Sequence, residues 1–562
     1  MTELSAERRA LLAALLTLVV VIVWQTLFLP KEPAKPKQAP PVPPAASGAP
    51  PSGAPAPPAA PAAAPAPKPI AAKAAAEEKT IAVENGLYRV ELSNRGAVVR
   101  SWQLKKYSDY HKPPRTLDLV HPEGAQQTGG WPFSLALDDA QLESQANAAL
   151  YEVTPSGASL EAPAEVRFEW SDGHLAVSKR LKFDRSYLVE METSVLLDGK
   201  PLAHGIAWRG GFGDTTVDYP AEKVQVFYSA ASKLESLPHK KLGQRQRHAG
   251  AVDYAGIEDQ YFAAAFLAPR AGGLEVWHWK LERDTQVEGK PAKEPVAEMA
   301  AGSPTAGPLA LRVFVGPKDL DELKKLTPPL NDLVQFGWLE VISAPLFYLL
   351  RWLHRYLPNY GWAIIVMTVL INMVLFPLKV KSWRSMQKMQ KVAPEIKAIQ
   401  ERYKKYALRD PRKQEMNKEV MAVYSREGVS PMGGCLPMML QMPIWFALYR
   451  MLNVTIELRQ APWLGWVRDL STYDPYYILP VLMTVTMYLM QKSTPMTTTD
   501  PTQQKMMTLM PLFFGVLFFR MSSGLVLYIF TSNLVGMAQQ WYLNRNAPAD
   551  VKAGRGKNGK KK

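Results

Sequence analysis

Residues 430–452, SPMGGCLPMMLQMPIWFALYRML, form an apolar stretch that is long enough to cross a lipid bilayer. No charged residue precedes Arg450 in this stretch, yet it contains Gly433-Gly434, internal prolines and Gln441 near its centre. A helix that only anchors a protein needs none of these features. Glycine, proline and a buried amide are tolerated at membrane depth where neighbouring helices or a hydrated cavity satisfy the freed polar groups. The stretch therefore predicts a membrane-spanning helix that lines a functional surface.

The overall composition indicates soluble and membrane-embedded parts in one chain. The mean hydropathy of the 562 residues is only −0.14, so the apolar residues must be concentrated in particular segments. The net charge of +15 and the pI of about 9.4 fit contact with nucleic acid, a ribosome or an anionic membrane surface. The single cysteine, Cys435, excludes an internal disulfide and a cysteine-based zinc cluster.

The N-terminal region predicts a membrane anchor followed by a tether. Arg8 and Arg9 precede an apolar run over residues 10–29. A cleaved signal peptide is the alternative, but its apolar region is usually about 7–15 residues long and ends at a small-residue cleavage site. We therefore predict an uncleaved transmembrane anchor over residues 1–29, with a cytoplasmic N-terminus. Residues 30–79 are rich in Pro and Ala, which predicts an extended tether.

Residues 80–330 predict a β-sandwich domain. Short segments there alternate apolar and polar residues: LYRVEL (87–92), AEVRFEW (164–170), LAVSKRLKF (175–183), YLVEMETSVLL (187–197), LEVWHWKL (274–281) and LALRVFV (309–315). A period of two over many segments is typical of antiparallel sheets that pack face to face. The histidines lack metal-ligand spacing, and no nucleophile or phosphate-loop motif is present. We therefore expect a scaffold domain without catalytic residues, metal or cofactor.

The rest of the chain predicts an all-α membrane core. Apolar residues recur at helical spacing over residues 331–356, which predicts an amphipathic helix along the membrane interface. Five predicted spans follow within residues 357–543, and their charge-free stretches are 360–378, 429–449, 475–491, 506–519 and 521–543. With the N-terminal anchor, the chain has six predicted spans. Only Arg520 separates the last two stretches, so these predict a tight helical hairpin that turns at Met521-Ser522.

The charges of the connections predict the orientation of the spans. Residues 379–427 contain 14 Lys and Arg against 6 Asp and Glu, whereas residues 453–474 contain 2 basic residues against 3 acids. The positive-inside rule places the first connection and the basic tail, residues 544–562, in the cytoplasm, and the β domain on the opposite side. Asp410-Pro411 is a helix-start signal, so the connection predicts a cytoplasmic helical hairpin over residues 381–428.

The polar residues inside the predicted spans are uncharged. The main ones are Thr368, Asn372, Gln441, Thr484, Ser532 and Asn533. An ion-coupled transporter normally needs an Asp, Glu or His at membrane depth, so this class of protein is disfavoured. A hydrogen bond between helices explains each of these residues alone. Together with the helix breaks near Gln441, they predict one hydrated concave surface. No catalytic set of residues emerges, and we do not expect an enzyme.

Several long motifs resemble the YidC/Oxa family of membrane protein insertases. They are PMGGCLPMMLQMPIWFALYRML (431–452), ELRQAPWLGWVRDLSTYDPYYILPVLMTVTMYLMQK (457–492), TDPTQQKMMTLMP (499–511) and SGLVLYIFTSNL (523–534). The resemblance implies a bacterial inner-membrane insertase and chaperone with a periplasmic β domain, a hydrophilic groove open to cytoplasm and lipid, and no cofactor. The partners that it implies are nascent membrane proteins, the SecYEG translocon with its associated Sec components, the ribosome and the lipid bilayer.

The resemblance also assigns roles to residues. It places Thr368 and Tyr528 in the substrate groove and ribosome contact on the basic tail, at Arg545, Lys552, Arg555, Lys557, Lys560, Lys561 and Lys562. The family usually has a positive charge, most often Arg, at the position of Asn372. We expect Lys379, two helical turns further on, to supply part of this charge from the groove mouth; an ordinary positive-inside anchor is the alternative role. A small-solute channel or transporter with a periplasmic accessory domain is the alternative function.

Overall fold

The computed structural model describes residues 70–217, 220–231, 233–269, 273–287, 290–406, 410–428, 436–493 and 501–546. The predicted anchor and most of the tether lie outside these ranges, as does nearly all of the basic tail. The described chain forms two compact units, a β unit that ends at Gln335 and a helical unit that begins at Phe336.

The β unit is built from strands of two to 14 residues, joined mostly by tight turns. The strands are β1 (Thr80–Glu84), β2 (Tyr88–Ser93), β3 (Val98–Ser108), β4 (Thr116–Asp118), β5 (Ser134–Ala136), β6 (Glu152–Thr154), β7 (Ser159–Glu161), β8 (Ala164–Ser171), β9 (Leu175–Phe183), β10 (Leu188–Leu197), β11 (Lys200–Pro201), β12 (Gly205–Trp208), β13 (Gln225–Ala230), β14 (Lys233–Pro238), β15 (Gln246–Glu258), β16 (Phe262–Leu267), β17 (Leu274–Val287), β18 (Lys290–Gly302) and β19 (Leu309–Pro317). The α-helices of this unit are α1 (Pro122–Thr128), α2 (Ala140–Ala148), α3 (Pro220–Lys223) and α4 (Leu320–Lys324). Each segment whose alternation predicts a strand forms one, as β2, β8, β9, β10, β17 and β19.

Two sheets make up the β unit. The smaller sheet has the order β4-β3-β2-β1-β7, in which β1 and β7 pair in parallel. The larger sheet follows the path β5-β12-β18-β17-β15-β16-β19-β10-β9-β8-β6, with β11 beside β10 and the β13–β14 hairpin beside β15. Aromatic side chains connect the sheets, since Tyr88 lies 6.4 Å from Phe183 and Tyr107 lies 5.2 Å from Phe262 between ring centroids. The predicted antiparallel β-sandwich is confirmed.

Strand β9 shows how polar groups are accommodated in the sandwich core. Every second residue of this strand is buried, and Lys179 occupies the middle of the buried row. Its ammonium donates to the backbone carbonyls of Gly96 at 2.8 Å and of Phe133 at 2.9 Å. These hydrogen bonds offset the cost of burying the ammonium. They also tie the larger sheet to the β2–β3 turn of the smaller one.

The helical unit contains the remaining helices. They are α5 (Glu340–Tyr356), α6 (Tyr360–Val374), α7 (Phe376–Arg402), α8 (Arg412–Arg426), α9 (Leu436–Val454), α10 (Ile478–Ser493), α11 (Pro501–Leu517) and α12 (Ser523–Arg545). Helix α5, which the sequence predicts to be interfacial, is shorter than the predicted range 331–356. It begins only after Gly337, whose φ of 77° interrupts helical backbone. Ser343 on its buried face donates from Oγ to the carbonyl of Ala447 in α9 at 3.1 Å.

Helices α6 and α7 meet at a bend of 55° around Leu375. Pro377 in the first turn of α7 lacks the N–H that would continue the hydrogen bonding of α6. The first helix of the predicted hairpin therefore begins at Phe376, earlier than residue 381. None of the described helices alone meets a combined length and hydropathy criterion for a membrane span, whereas α6 and α7 meet it together as a bent pair.

Helices α7 and α8 form the predicted helical hairpin. They share a small apolar core made by Val392, Ile396, Ile399 and Val423. Ion pairs and hydrogen bonds flank this core, because Arg426 pairs with Glu395 at 2.7 Å and Tyr403 donates to Glu419 at 2.8 Å. Tyr403, at the end of α7, follows Glu395, whereas along α8 its partner Glu419 precedes Arg426. The two helices are therefore antiparallel.

Candidate functional site

Helix α12 presents one polar face to α6. Tyr528, Ser532 and Gln539 follow each other at intervals of four and seven residues, so they lie on the same side of the helix. Helix α12 packs against both α6 and α10. Thr368 and Asn372 on α6 lie one turn apart, and both are fully buried. Two polar rows on adjacent helices are therefore available to bond with each other.

Asn372 is the centre of the resulting hydrogen-bonded cluster. Its Nδ2 donates to the carbonyl of Thr368 at 2.8 Å and to the Oγ of Ser532 at 3.3 Å. Its Oδ1 accepts from the Nζ of Lys379 at 2.6 Å. The Thr368 hydroxyl donates to the carbonyl of Ile364 at 2.6 Å, within its own helix. The Asn372 amide thus links α6, α7 and α12.

Lys379 carries the positive charge of this cluster. Its ammonium donates to Asn372 and also to the Oε1 of Gln539 at 3.1 Å. The side chain is half-buried, and no carboxylate pairs with it in the part of the chain that the structure describes. A partly buried ammonium that only amide oxygens hold keeps its attraction for an anion. The expected proximity of Lys379 to Asn372 is therefore present, while its role stays a prediction.

Tyr528 extends the cluster to α9. The Nε2 of Gln441 donates to the Tyr528 hydroxyl at 2.8 Å, and this hydroxyl also shares a hydrogen bond with Ser532. We use the term polar seam for the connected residues Gln441, Tyr528, Ser532, Thr368, Asn372, Lys379 and Gln539. The seam contains every residue that the sequence predicts for the groove and its mouth except two.

The two exceptions, Thr484 and Asn533, lie at other helix interfaces. A Cβ added to Gly515 of α11 would come 2.3 Å from the Oγ1 of Thr484, so Thr484 lies where α10 closely approaches α11. Asn533 points towards α10, where its Nδ2 lies 3.4 Å from the Oγ1 of Thr486. Both side chains join α10 to its neighbours.

Gln539 is a member of the seam that the sequence reasoning missed. Its Nε2 donates to the backbone carbonyl of Asn372 at 3.1 Å, in addition to the bond that its oxygen accepts from Lys379. The sequence contained a signal for this residue. Gln539 follows Ser532 by seven residues, and Lys379 follows Asn372 by the same number, so each pair lies about two helical turns apart.

Two buried titratable groups of the β unit have structural partners. The Nε2 of His121 lies 2.9 Å from the carbonyl of Gly213, and burial lowers the pKa of this imidazole to about 4. Burial raises the pKa of the Glu258 carboxyl, although Lys318 at 3.1 Å opposes this shift. Among the described residues, no three or more His, Cys, Asp or Glu side chains form a group that could hold a metal ion.

The predicted ribosome-contact residues fall mostly outside the described ranges. Arg545 is described and ends α12, with its guanidinium carbon 5.3 Å from the centre of the Trp541 ring. The other basic residues of the tail, Lys552, Arg555, Lys557, Lys560, Lys561 and Lys562, lie beyond the last described residue, Asn546.

Comparisons of sequence match nearly the whole chain to known proteins. Residues 80–349 match the family described as YidC periplasmic domain, and residues 352–550 match the family described as 60Kd inner membrane protein. The membrane protein insertase YidC of Geobacter metallireducens is 32% identical over 97% of this chain and 99% of its own length. The YidC of Cupriavidus taiwanensis is 40% identical over 57% of this chain, a match that spans 56% of that relative.

Comparisons with solved structures find YidC proteins at low sequence identity. An active YidC insertase with its first transmembrane domain resolved is 19% identical, with a TM-score of 0.36 over 85% of this chain and 95% of that chain. YidC from Thermotoga maritima is 14% identical, with a TM-score of 0.29 over 82% of this chain and 99% of that chain. The family assignment rests on the sequence matches, which cover both units. This chain belongs to the YidC family of membrane protein insertases, which are bacterial inner-membrane proteins with a periplasmic domain.

Proposed function

We propose that this chain inserts and folds inner-membrane proteins, alone or beside the SecYEG translocon and its associated Sec components, and that nascent clients pass over the polar seam. The observation that carries the proposal is the half-buried Lys379 ammonium, which amide oxygens hold beside the buried Asn372. A polar surface within the helical unit shortens the apolar barrier for a polar client segment. Moving one charged side chain to the bilayer centre costs about 3 kcal/mol on insertion scales. The activity changes no covalent bond, so the protein acts as a chaperone and not as an enzyme.

The topology that we propose has six spans with both termini in the cytoplasm and the β unit in the periplasm. Helices α6, α9, α10, α11 and α12 provide five spans, and residues 10–29 provide the sixth. The basic residues of 379–427 support this orientation, and exposed apolar side chains on α10 and α11 support contact with lipid. The exposed aromatic residues Tyr348, Trp352 and Tyr356 recur on one side of α5, as expected for an interfacial helix.

The α7–α8 hairpin and the basic tail, which we place in the cytoplasm, would contact a client before it reaches the polar seam. We assign first contact with clients to the α7–α8 hairpin, which exposes basic side chains and Met421. Methionine suits a surface that accepts many apolar sequences, because its side chain is flexible and polarisable. We assign ribosome contact to the basic tail, because clustered Lys and Arg bind RNA phosphates electrostatically.

Reconstitution into liposomes separates an insertase from a small-solute channel or transporter. The purified full chain should integrate a nascent single-span client, which gains a protected fragment when protease is added outside. Liposomes without the protein provide the control. Solute flux through the same liposomes without client insertion would contradict the insertase and support the alternative function.

A further inference from the structure

The side-chain amide of Gln539 makes a two-sided contact at the bend between α6 and α7. The oxygen accepts from the Lys379 ammonium at 3.1 Å, and the nitrogen donates to the backbone carbonyl of Asn372 at 3.1 Å. Gln539 is half-buried on the face of α12 that also carries Ser532. The amide therefore joins a backbone group and a charge on two different helices to a third helix.

The bend explains why a backbone carbonyl is available at this point. Helix α6 ends at Val374, and α7 begins at Phe376 with its axis turned by 55°. The last carbonyls of a helix have no partner in their own helix, and Asn372 lies in the last turn of α6. A carbonyl within an apolar helical assembly needs a partner from a neighbouring helix. Gln539 supplies that partner to Asn372.

These two contacts fix the orientation of the amide. Turning the amide over would place its NH2 group against the Lys379 ammonium and its oxygen against the Asn372 carbonyl, and both pairings are repulsive. The carbonyl at the bend thus directs the Gln539 oxygen towards Lys379. The ammonium can donate three hydrogen bonds, and its acceptors among the described residues are Asn372 and Gln539. This leaves one N–H for a carboxylate.

We propose that Gln539 is a positioning residue that sets the preference of the insertase for clients with an acidic segment to be translocated. It holds the Lys379 ammonium beside Asn372, with one N–H directed to the client. The proposal rests on the proposed function, because it requires that clients pass over the polar seam. The ligand class is a carboxylate side chain on an otherwise apolar polypeptide.

The test uses the full-length protein in liposomes and two clients that differ only by Asp→Asn changes in the translocated segment. Gln539→Glu keeps the size of the side chain, but its carboxylate would pair with Lys379 and occupy it. Gln539→Leu removes both contacts. Gln540→Leu is the matched control, since Gln540 donates to Asn544 at 3.2 Å in its own helix.

Wild type and Gln540→Leu should prefer the acidic client by roughly tenfold, the size expected for a charge-assisted hydrogen bond. Gln539→Glu should insert both clients equally.

A second measurement separates positioning from support of the bend. Labelling of Lys379 with an amine-reactive reagent, read by mass spectrometry, should be faster in Gln539→Leu than in wild type and unchanged in Gln540→Leu. Equal loss of both clients in Gln539→Leu, with unchanged labelling, would show that Gln539 only supports the bend and would overturn the proposal. A preference that survives in Gln539→Glu would also overturn it. Equal insertion of both clients by wild type would instead refute the role of Lys379 in the proposed function.

Discussion

The ammonium of Lys379 lies 2.6 Å from the Oδ1 of Asn372, although a bend of 55° separates the two residues along the chain. Seven residues correspond to about two turns of an ideal helix, roughly 10 Å of rise at 1.5 Å per residue. The bend and the length of the lysine side chain close this distance. A neutral amide inside the seam therefore accepts a hydrogen bond from a positive charge at the start of α7.

The charge on Lys379 should matter only for clients that bring an acid to the seam. Lys379→Gln should lower insertion of a client with an acidic translocated segment, because an amide attracts a carboxylate less than an ammonium does. Adding Asn372→Arg to Lys379→Gln should restore insertion by returning a charge to the same place. Protease protection in liposomes measures both effects, and a neutral client serves as the control. If Lys379→Gln inserts the acidic client as well as wild type, Asn372 acts by hydrogen bonding alone.

The β unit should be largely dispensable for insertion. It has its own sandwich core, and the boundary to the helical unit falls between Gln335 and Phe336. Deletion of residues 80–330 removes all of its strands and leaves α5 to α12 intact. We expect this variant to retain most insertion activity in liposomes. Loss of all activity from a variant whose helical unit is folded by circular dichroism would assign the β unit an essential role.

Local patterns in the sequence predict the elements of this protein well. Period-two alternation marks β2, β9 and β19, and the turn at Met521-Ser522 separates α11 from α12 as predicted. The bend after α6 and the length of a lysine side chain also bring Lys379 to Asn372, only seven residues away. In each case, residues within two helical turns or one strand determine the outcome, so the sequence contains the necessary information.

Contacts between distant segments are not predictable in this way. The parallel pairing of β1 with β7 joins residues separated by more than 70 positions, and no local pattern specifies it. Thr484 and Asn533 are polar and lie in predicted spans, yet which helix each one faces depends on the rotation of α10 and α12. Gln539 was missed because it lies near the end of its helix, where a polar residue needs no special explanation.

The basic tail should bind ribosomes through electrostatic contacts. Truncation after Asn546 removes all the predicted ribosome-contact residues except Arg545 and keeps α12, including the 3.3 Å contact between Trp383 and Asn544. Co-sedimentation of the truncated protein with ribosomes should fall at low salt. Binding of the full chain should weaken steeply between about 50 and 200 mM salt, because phosphate contacts release counterions. Replacing the tail Lys and Arg by Gln at constant length provides the control. Equal co-sedimentation of all three proteins would leave the tail as a topology signal only.

The β unit should lose stability as the pH falls below about 6.5, the ordinary pKa of histidine. Burial is the main cause that lowers the pKa of His121 to about 4, and Arg283 also lowers it. The hydrogen bond to the Gly213 carbonyl and the charges of Glu294 and Asp214 raise this pKa, but each of these effects is smaller than that of burial. The unfolded chain therefore binds a proton between pH 6.5 and 4 that the folded unit excludes, so the free energy of unfolding decreases as the pH falls through this window.

The size of this effect follows from the pKa difference. The free energy of unfolding should be about 2 kcal/mol lower at pH 5 than at pH 7.5, because one pKa unit corresponds to 1.36 kcal/mol. A Cβ at Gly211 would lie 2.6 Å from the Nδ1 of His121, so only glycine fits beside the ring at this position. His121→Gln keeps a donor for the Gly213 carbonyl and does not titrate. Urea unfolding of a fragment covering residues 70–335 should therefore show a smaller loss of stability from pH 7.5 to pH 5 in His121→Gln than in wild type. Equal losses in both proteins would assign the acid sensitivity to other groups, of which the buried His204 is the next to test.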